Sequence, residues 1–312
     1  MNEEIIKRYV DGESSSSIAR EMNTFSAKIT SFLRKSGVKI RNNSERSQLY
    51  KIDSNMFEKI DSHEKAYFLG WLFSDGNVYL GAGRFTISIT LTEADKHVLD
   101  YLNEQIFTPP KKLAYKKERI KISRGKEYLC KPCYKLQIDN KKMCEDLISL
   151  GCHPRKSKTL LFPNFDVIPK EYFAVFLRGY FDGDGCVYRK GERVMSVYFD
   201  GSEAFCLGLK NFLLEHVGID SHFFFQNGCH RVQITKIVDM FKLYNYLYQD
   251  NGFCLLRKKE KIEKGLLSNF NRDRTVAFRN LLSKEDYNFL KERTLSEEYL
   301  FNDFNKFLID RI

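Results

Sequence analysis

The chain has 312 residues, 43% hydrophobic and 14% aromatic, a composition that supports a folded core and excludes a disordered protein. Lys and Arg number 51 against 41 Asp and Glu, so the formal net charge of +10 favours a nucleic-acid partner, with a merely basic protein as the alternative. Residues 1–10 lack the apolar core of a signal peptide, and no apolar run approaches the ~18 residues of a membrane span, so we expect an intracellular protein with no membrane partner.

The first forty residues predict three short helices. The first runs to the turn at Asp11-Gly12, Ser14 offers an N-cap hydroxyl for the second, and the third begins near Ser26. The exposed side of the third helix is basic, with Lys28, Arg34 and Lys35. This pattern resembles the helix-turn-helix units of resolvase-type DNA-binding domains, and an ordinary three-helix bundle is the alternative. Residues 41–50 are polar and predict a linker.

An internal repeat follows. Residues 67–76, YFLGWLFSDG, recur as residues 176–185, FLRGYFDGDG. The aligned pairs share one offset of 109 residues: Gly70 with Gly179, Asp75 with Asp184 and Gly76 with Gly185. Each copy is apolar on nearly every side, which predicts a helix that is buried all round.

The glycines of the repeat predict how these helices pack and end. A glycine inside a helix costs about 1 kcal/mol relative to alanine, so Gly70 and Gly179 predict two helices that approach too closely for a Cβ. Gly76 and Gly185 are predicted to end the helices as C-terminal caps, a position where glycine can adopt positive φ freely.

The segments after each copy also match in kind. After the first we predict strands at 77–79, 84–90, 119–123 and 134–138, and helices at 94–106 and 143–150. After the second we predict strands near 187 and at 194–199, 222–226 and 231–235, and helices at 203–217 and 237–248. Each half is therefore expected to be helix-strand-strand-helix-strand-strand-helix. The fold class is α+β, a pseudo-two-fold duplication preceded by a small all-α domain.

These boundaries divide the chain into four parts. They are a helix-turn-helix domain and linker at 1–48, a first repeat at 49–165, a second repeat at 166–265, and a helical C-terminal segment at 266–312. The last part carries no motif that we can interpret, and covering the core or binding DNA are both open to it.

The predicted strands alternate between apolar and polar residues, which indicates sheets covered by helices on one side only. The free face carries residue types that read base edges and hold phosphates, whereas a merely solvated face would carry more Asp and Glu. The residues predicted to contact DNA from this face are Arg84, Thr86, Ser88, Arg119, Lys121, Lys135, Gln137, Arg189, Arg231 and Gln233.

Asp75 and Asp184 fall at the C-terminal ends of the repeated helices, where the helix dipole disfavours an unpaired carboxylate. Packing the two helices together also brings the carboxylates near one another. A hard divalent cation such as Mg²⁺ relieves both problems, and two acids on a metal beside a basic groove suit phosphodiester hydrolysis.

Over about residues 60–265 the paired motifs and the element order resemble LAGLIDADG homing endonucleases in their single-chain, two-motif form. The resemblance implies a saddle-shaped sheet in the DNA major groove and motif acids that hold divalent metal and cut both strands. It implies that the catalytic and metal-binding acids are Asp75 and Asp184, with the carbonyls of Ser74 and Gly183 as further ligands and Lys156 and Lys258 as the basic residues near the scissile phosphates. The sixth motif position breaks the symmetry, since it is Asp182 in the second copy and Phe73 in the first.

The expected function is therefore a site-specific homing-type endonuclease that makes Mg²⁺-dependent double-strand breaks in a long duplex, as a monomer acting as a pseudo-dimer. A transcription regulator on a retired endonuclease scaffold is one alternative, and it predicts loss of one or both motif acids. An RNA maturase with intron RNA as its partner is another.

Other chemistries find little support. A zinc site at Cys130, Cys133, Cys144 and Cys152 matches metal-ligand spacing only loosely. The residues that an HNH nuclease needs, found here as His222, Asn227 and His230, lie in a predicted hairpin. An intein is disfavoured because the chain starts with Met1 and lacks a terminal His-Asn pair.

Overall fold

The computed structural model describes residues 2–42, 49–123, 125–272, 282–294, 301 and 305–306. Residues 43–48 of the predicted linker and much of the predicted C-terminal segment lie outside this range. No helix in the described ranges is both long enough and apolar enough to cross a membrane.

The N-terminal unit consists of three helices, α1 (Asn2–Val10), α2 (Ser15–Glu21) and α3 (Ser26–Lys35). Its separate small core includes Ile5, Tyr9, Ile18, Ala19, Ile29 and Leu33. The Ser14 hydroxyl accepts a hydrogen bond from Ser17 N at 3.1 Å, so α2 is capped as expected. The unit contacts the rest of the chain through Lys112, whose Nζ donates to Glu13 at 2.8 Å and to Glu21 at 3.0 Å.

The first half begins with a two-residue strand and contains three helices. Its elements are β1 (Lys51–Ile52), α4 (His63–Phe73), β2 (Asn77–Gly81), β3 (Arg84–Thr92), α5 (Lys96–Ile106), β4 (Phe107–Thr108), β5 (Ala114–Lys116), β6 (Arg119–Ser123), β7 (Lys126–Cys130), β8 (Cys133–Asp139) and α6 (Lys141–Ser149).

The second half and the helices after it follow. Their elements are α7 (Lys170–Asp184), β9 (Gly185–Lys190), β10 (Arg193–Gly201), α8 (Glu203–Phe212), β11 (His222–Gln226), β12 (Cys229–Ile234), α9 (Ile237–Tyr248), α10 (Leu256–Arg272) and α11 (Lys284–Thr294). Helix α10 runs through the predicted boundary at residue 265 and packs on β10, where Asn269 Nδ2 donates to Val194 O at 2.6 Å. Leu282, Leu290 and Phe301 also pack against the core.

The two halves have the same sheet topology. One antiparallel sheet has the order β2-β3-β8-β5 and the other β9-β10-β12-β11. Each sheet therefore starts with the strand that leaves its motif helix and places its last strand inside the sheet. The predicted duplication is confirmed, and so is the one-sided burial of the sheets. The residues that face the core include Ile87, Ile89, Leu136 and Ile138 in the first sheet and Val197, Phe199, Val232 and Ile234 in the second.

The prediction that residues 119–123 belong to the main sheet is wrong. Strand β6 pairs with β7, and the two form a separate hairpin inserted between β5 and β8. Ile120 and Ile122, expected in the core, are 63% and 71% exposed. Alternation with a period of two reports only the pleat of a strand, so it could not tell a projecting hairpin from a strand packed on the core. The second half has a short turn at Asn227-Gly228 in place of the hairpin.

Gly185 is the C-cap of α7, as predicted, whereas the C-cap of α4 is Ser74 rather than Gly76. Neither glycine adopts the positive φ that its residue type allows. Gly185 has φ −79° and is the first residue of β9. Space explains both glycines instead. A Cβ on Gly76 would lie 2.5 Å from Leu72 Cα, and one on Gly185 would lie 2.1 Å from Phe181 Cδ2.

The motif helices α4 and α7 pack backbone against backbone, as the interior glycines predicted. A Cβ on Gly70 would lie 2.3 Å from Phe176 O, and one on Gly179 would lie 2.3 Å from Tyr67 O. Neither carbonyl can move without displacing its helix. The two glycines therefore fix the distance between the halves.

Gly70→Ala is expected to lower the free energy of unfolding by about 3 kcal/mol, because the new Cβ would force the two helix backbones apart. Urea unfolding followed by circular dichroism measures this change. Glu104→Ala, an exposed position in α5, is the matched control and should change stability by about 0.5 kcal/mol or less. An unfolding midpoint of Gly70→Ala equal to that of the control would contradict the close packing.

Candidate functional site

The two motif acids lie at the same end of the helix pair. Asp184 is the last residue of α7, and Asp75 lies two residues beyond the end of α4. The C-terminal ends of the two motif helices are in contact, since a Cβ on Gly183 would lie 2.0 Å from Ser74 Oγ and 3.0 Å from Asp75 Oδ2. The pseudo-dyad thus brings together the acids that the repeat aligned in the sequence.

Both carboxyl groups have a raised pKa. Burial and then the negative charge of Asp75 raise the pKa of Asp184 to about 7. Burial also raises the pKa of Asp75, although part of the residue is accessible to solvent. The ammonium groups of Lys258 and Lys156 oppose both shifts. The pair therefore prefers to share a positive partner.

Lys156 and Lys258 occupy equivalent positions beside the acids. Lys156 Nζ donates to the carbonyls of Ser74 at 3.2 Å and Gly76 at 2.5 Å. Lys258 Nζ donates to the carbonyls of Gly183 at 3.0 Å and Gly185 at 2.5 Å, the residues that align with Ser74 and Gly76.

Both lysines are 7% exposed, so each ammonium is enclosed by the end of its motif helix. Lys258 also donates to the carbonyls of Phe181 and Asp182, each at 2.8 Å. Burial lowers the pKa of Lys258 to about 8. The carbonyls of Ser74 and Gly183, predicted as metal ligands, thus already accept bonds from ammonium groups, although each keeps a second lone pair.

The chemistry of the donors fits a hard divalent cation. Asp75 and Asp184 supply two adjacent carboxylates with raised pKa values, and Mg²⁺ commonly takes one or two carboxylates and completes its shell with water and phosphate oxygens. In the parts of the chain that the structure describes, no group of three or more His, Cys, Asp and Glu residues could hold a metal ion. That result covers the four cysteines considered for zinc, two of which, Cys144 and Cys152, are buried.

The polar face of the first sheet forms an open depression of about 680 Å³. Residues lining it include Asn77, Tyr79, Arg84, Thr86, Ser88, Lys135 and Gln137. Its side chains are linked: Lys135 Nζ donates to Gln137 Oε1 at 2.8 Å, and Gln137 Nε2 and Thr86 Oγ1 both donate to Asp139. Ser88 is 8% exposed and lies at the floor, so it is the least accessible of the predicted DNA contacts on this sheet.

The second sheet repeats this surface with different residues. Arg231 donates to both carboxylate oxygens of Asp200, at 2.6 and 2.8 Å, and lies 3.6 Å above the Tyr198 ring. Gln233 Nε2 donates to Ser196 Oγ at 2.8 Å. Arg189 is used within its own hairpin, where it donates to the Glu192 carbonyl.

Strand register shows which residues of the two polar faces correspond. The equivalent pairs are Lys135 with Arg231, Gln137 with Gln233, and Tyr79 with Tyr188. The tyrosines are 48% and 55% exposed and were missed in the sequence, although their spacing is the same 109 residues that aligns the motifs. Asp139 and Asp200, also unforeseen, hold the polar side chains in place on this face.

Five further residues predicted to contact DNA lie away from the two main sheets. Arg119 and Lys121 are exposed on the β6–β7 hairpin, so their predicted place on the first sheet is corrected. Lys28, Arg34 and Lys35 are exposed on α3.

Asp184→Asn is expected to stabilise the metal-free protein at pH 8 and to have little effect at pH 4. Because the folded pKa of about 7 lies above the ordinary value of 3.8, unfolding releases a proton between these limits and stability falls as pH rises through them. Each kcal/mol is worth ~2–4 °C in Tm at this chain size. Calorimetry with a chelator should show a gain of several degrees at pH 8 only. Asp166→Asn, at an exposed acid, is the control, and equal shifts at both pH values would count against the raised pKa.

Residues 171–240 match the family model of a LAGLIDADG-like domain. Among solved structures, the homing endonuclease I-WcaI bound to its DNA recognition sequence is 14% identical, with a TM-score of 0.49 over 73% of this chain and 97% of that chain. The LAGLIDADG homing endonuclease I-GzeII in complex with its DNA target is 13% identical, with a TM-score of 0.42 over 75% and 99%. Full-length DUF199/WhiA from Thermatoga maritima is 13% identical, with a TM-score of 0.42 over 78% and 72%.

No curated protein sequence matches the chain. The matched segment holds Asp184 and all four strands of the second half. Residues 171–240 are therefore similar to a LAGLIDADG-like domain, and the first half repeats the motif and the sheet topology of that segment.

Proposed function

We propose that the chain is a divalent-metal-dependent endonuclease that cuts both strands of a long duplex DNA site. One observation carries the proposal: Asp75 and Asp184 meet at the pseudo-dyad, between two sheets of matching topology and strand register. A duplex has the same kind of two-fold relation between its strands. Each half would therefore present one acid to one strand.

In this proposal Asp75 and Asp184 would hold the cation, which when bound would supply activation of a water nucleophile and stabilisation of charge on the phosphate. Lys156 and Lys258 have a different task from the one first expected. Their ammonium groups are enclosed by helix-end carbonyls, so they hold the acids in place and offset the negative charge of the site.

The two sheets supply the binding surface. Lys135 and Arg231 place one cation on each polar face, and Gln137 and Gln233 offer amide groups that can read base edges. Asp139 and Asp200 keep these side chains ordered before DNA arrives, which reduces the entropy lost on binding. Lys28, Arg34 and Lys35 on α3 would bind flanking phosphates.

The alternative function, a transcription regulator on a retired endonuclease scaffold, predicts loss of one or both motif acids. Both acids are present, both are adjacent at the helix ends, and both have raised pKa values. A regulator has no use for two carboxylates held together at this cost, so we favour the nuclease.

Cleavage of a randomised duplex library by the purified protein with Mg²⁺ tests the function. The wild type should cut at one long site. Asp75→Asn and Asp184→Asn should each slow double-strand cleavage by about 100-fold or more, because each removes a carboxylate that would hold the charge-stabilising cation. Asp166→Asn is the control and should cut at the wild-type rate. Wild-type speed in either motif variant would refute the assignment, and site-specific binding without cutting by the wild type would favour the regulator.

The triple variant Lys28→Ala, Arg34→Ala, Lys35→Ala is expected to bind the same site more weakly and to cut it at the same position. The magnitude of the slope of log affinity against log salt should fall by up to about 3, because binding releases about one counterion fewer for each phosphate contact that is lost.

The matched control removes three lysines near the N-terminal ends of the motif helices, far from the acids: Lys59, Lys65 and Lys170. Its salt slope should equal that of the wild type. A displaced cut site in the α3 variant would show that the N-terminal unit sets the position of cleavage.

A further inference from the structure

The contact between the motif helices differs on its two sides. Tyr67 and Phe176 are equivalent positions, and so are Phe73 and Asp182, so the pairs Tyr67–Asp182 and Phe176–Phe73 are the same contact related by the pseudo-dyad. Tyr67 Oη donates to Asp182 Oδ2 at 2.8 Å. Phe73 and Phe176 instead meet edge to face, with ring centroids 5.2 Å apart. One side of the interface is hydrogen-bonded and the other is aromatic.

Asp182 also binds the segment that carries Lys258. Leu255 N donates to Asp182 Oδ2 at 2.8 Å, and Leu255 immediately precedes α10. The carboxylate therefore lies at the N-terminus of this helix, where the dipole favours negative charge. Lys258, in the first turn of α10, donates back to the carbonyls of Asp182 and Gly183.

A second contact ties the same turn to the first half. Arg257 Nε and a terminal nitrogen donate to the two carboxylate oxygens of Asp95, both at 2.8 Å. The turn that carries Lys258 is thus fixed by two contacts with the first half. Tyr67 bonds to Asp182, which bonds to Leu255 N, and Asp95 bonds to Arg257, the neighbour of Lys258.

The first half holds its lysine differently. Lys156 lies in a single 3₁₀ turn, Lys156–Lys158, and Phe73, which occupies the position of Asp182, has no group that could bond to it. The neighbour Arg155, which matches Arg257 in spacing, is exposed and adopts a left-handed conformation with φ +59°.

Packing of the helix interface does not require a carboxylate at position 182. The residue is 1% exposed, and a buried carboxylate carries a desolvation penalty that its bonds only partly offset. Its Oδ1 has no hydrogen-bond partner among the described residues. Phe73 shows that the same interface packs well with an apolar side chain at the equivalent place.

We infer that Asp182 is a positioning residue for Lys258, completed across the pseudo-dyad by Tyr67, and that it serves only one of the two half-sites. The inference rests on the proposed endonuclease function. It follows that the strand cut through Asp184 depends on Asp182, whereas the strand cut through Asp75 does not.

Single-turnover cleavage of the target duplex, with the two strands carrying different fluorescent labels, tests this inference. Asp182→Leu should slow the nicking of one strand by about 10-fold to 100-fold and leave the other within about twofold, so that nicked duplex accumulates. The affected strand should be the one that Asp184→Asn also slows. Asp182→Asn, which keeps an acceptor for Leu255 N, should recover part of the rate. Tyr67→Phe should slow the same strand to a smaller extent.

Phe73→Leu is the matched control at the equivalent position and should not slow the strand that depends on Asp182. Melting temperature and DNA affinity are measured for each variant, so that loss of folding or binding is separated from loss of positioning. Equal slowing of both strands by Asp182→Leu and Asp182→Asn, with folding and affinity retained, would overturn the inference alone. A wild type that nicks neither strand would overturn the proposed function and the inference with it.

Discussion

With no side chain at Gly70 or Gly179, the backbones of α4 and α7 lie in direct contact, and this contact determines the remaining geometry. Because the helices cross at equivalent residues, their C-terminal ends also meet, and Asp75 and Asp184 are brought together as a result. Each helix runs into the first strand of its own sheet, so the polar faces are set on either side of the acids. A wider spacing would separate the acids and rotate the sheets apart together.

The same closeness creates an electrostatic problem that the surrounding chain relieves only in part. Burial raises the pKa of both carboxyl groups at these negative helix ends, and the charge of Asp75 raises the pKa of Asp184 further. The buried ammonium groups of Lys156 and Lys258 cancel the partial charges of the helix-end carbonyls, and the acids remain short of a positive partner. Binding of a cation would supply it, so fold and chemistry depend on the same contact.

The duplication, the element order and the pairing of the acids could be predicted because a repeat at a fixed offset is explicit in the sequence. What failed needed information on tertiary packing. Residues 119–123 do alternate between apolar and polar side chains, but they belong to a projecting hairpin. Gly76 and Gly185 are required because a Cβ would clash at either position, and not because the backbone needs positive φ. The exposed pair Tyr79 and Tyr188 could have been found from the offset. The bond between Tyr67 and Asp182 could not, because the alignment marks Asp182 only as a departure from Phe73.

The β6–β7 hairpin makes the two halves of the molecule different. It is present in the first half alone, and the N-terminal unit is attached to the same half through Lys112. A duplex lying along both sheets would therefore be covered further on one side of the acids than on the other. On the proposed function, such a protein would distinguish the left arm of its target from the right, so a palindrome would offer it no advantage. The two halves share one topology, and on the proposed function the added elements would allow them to read unrelated sequences.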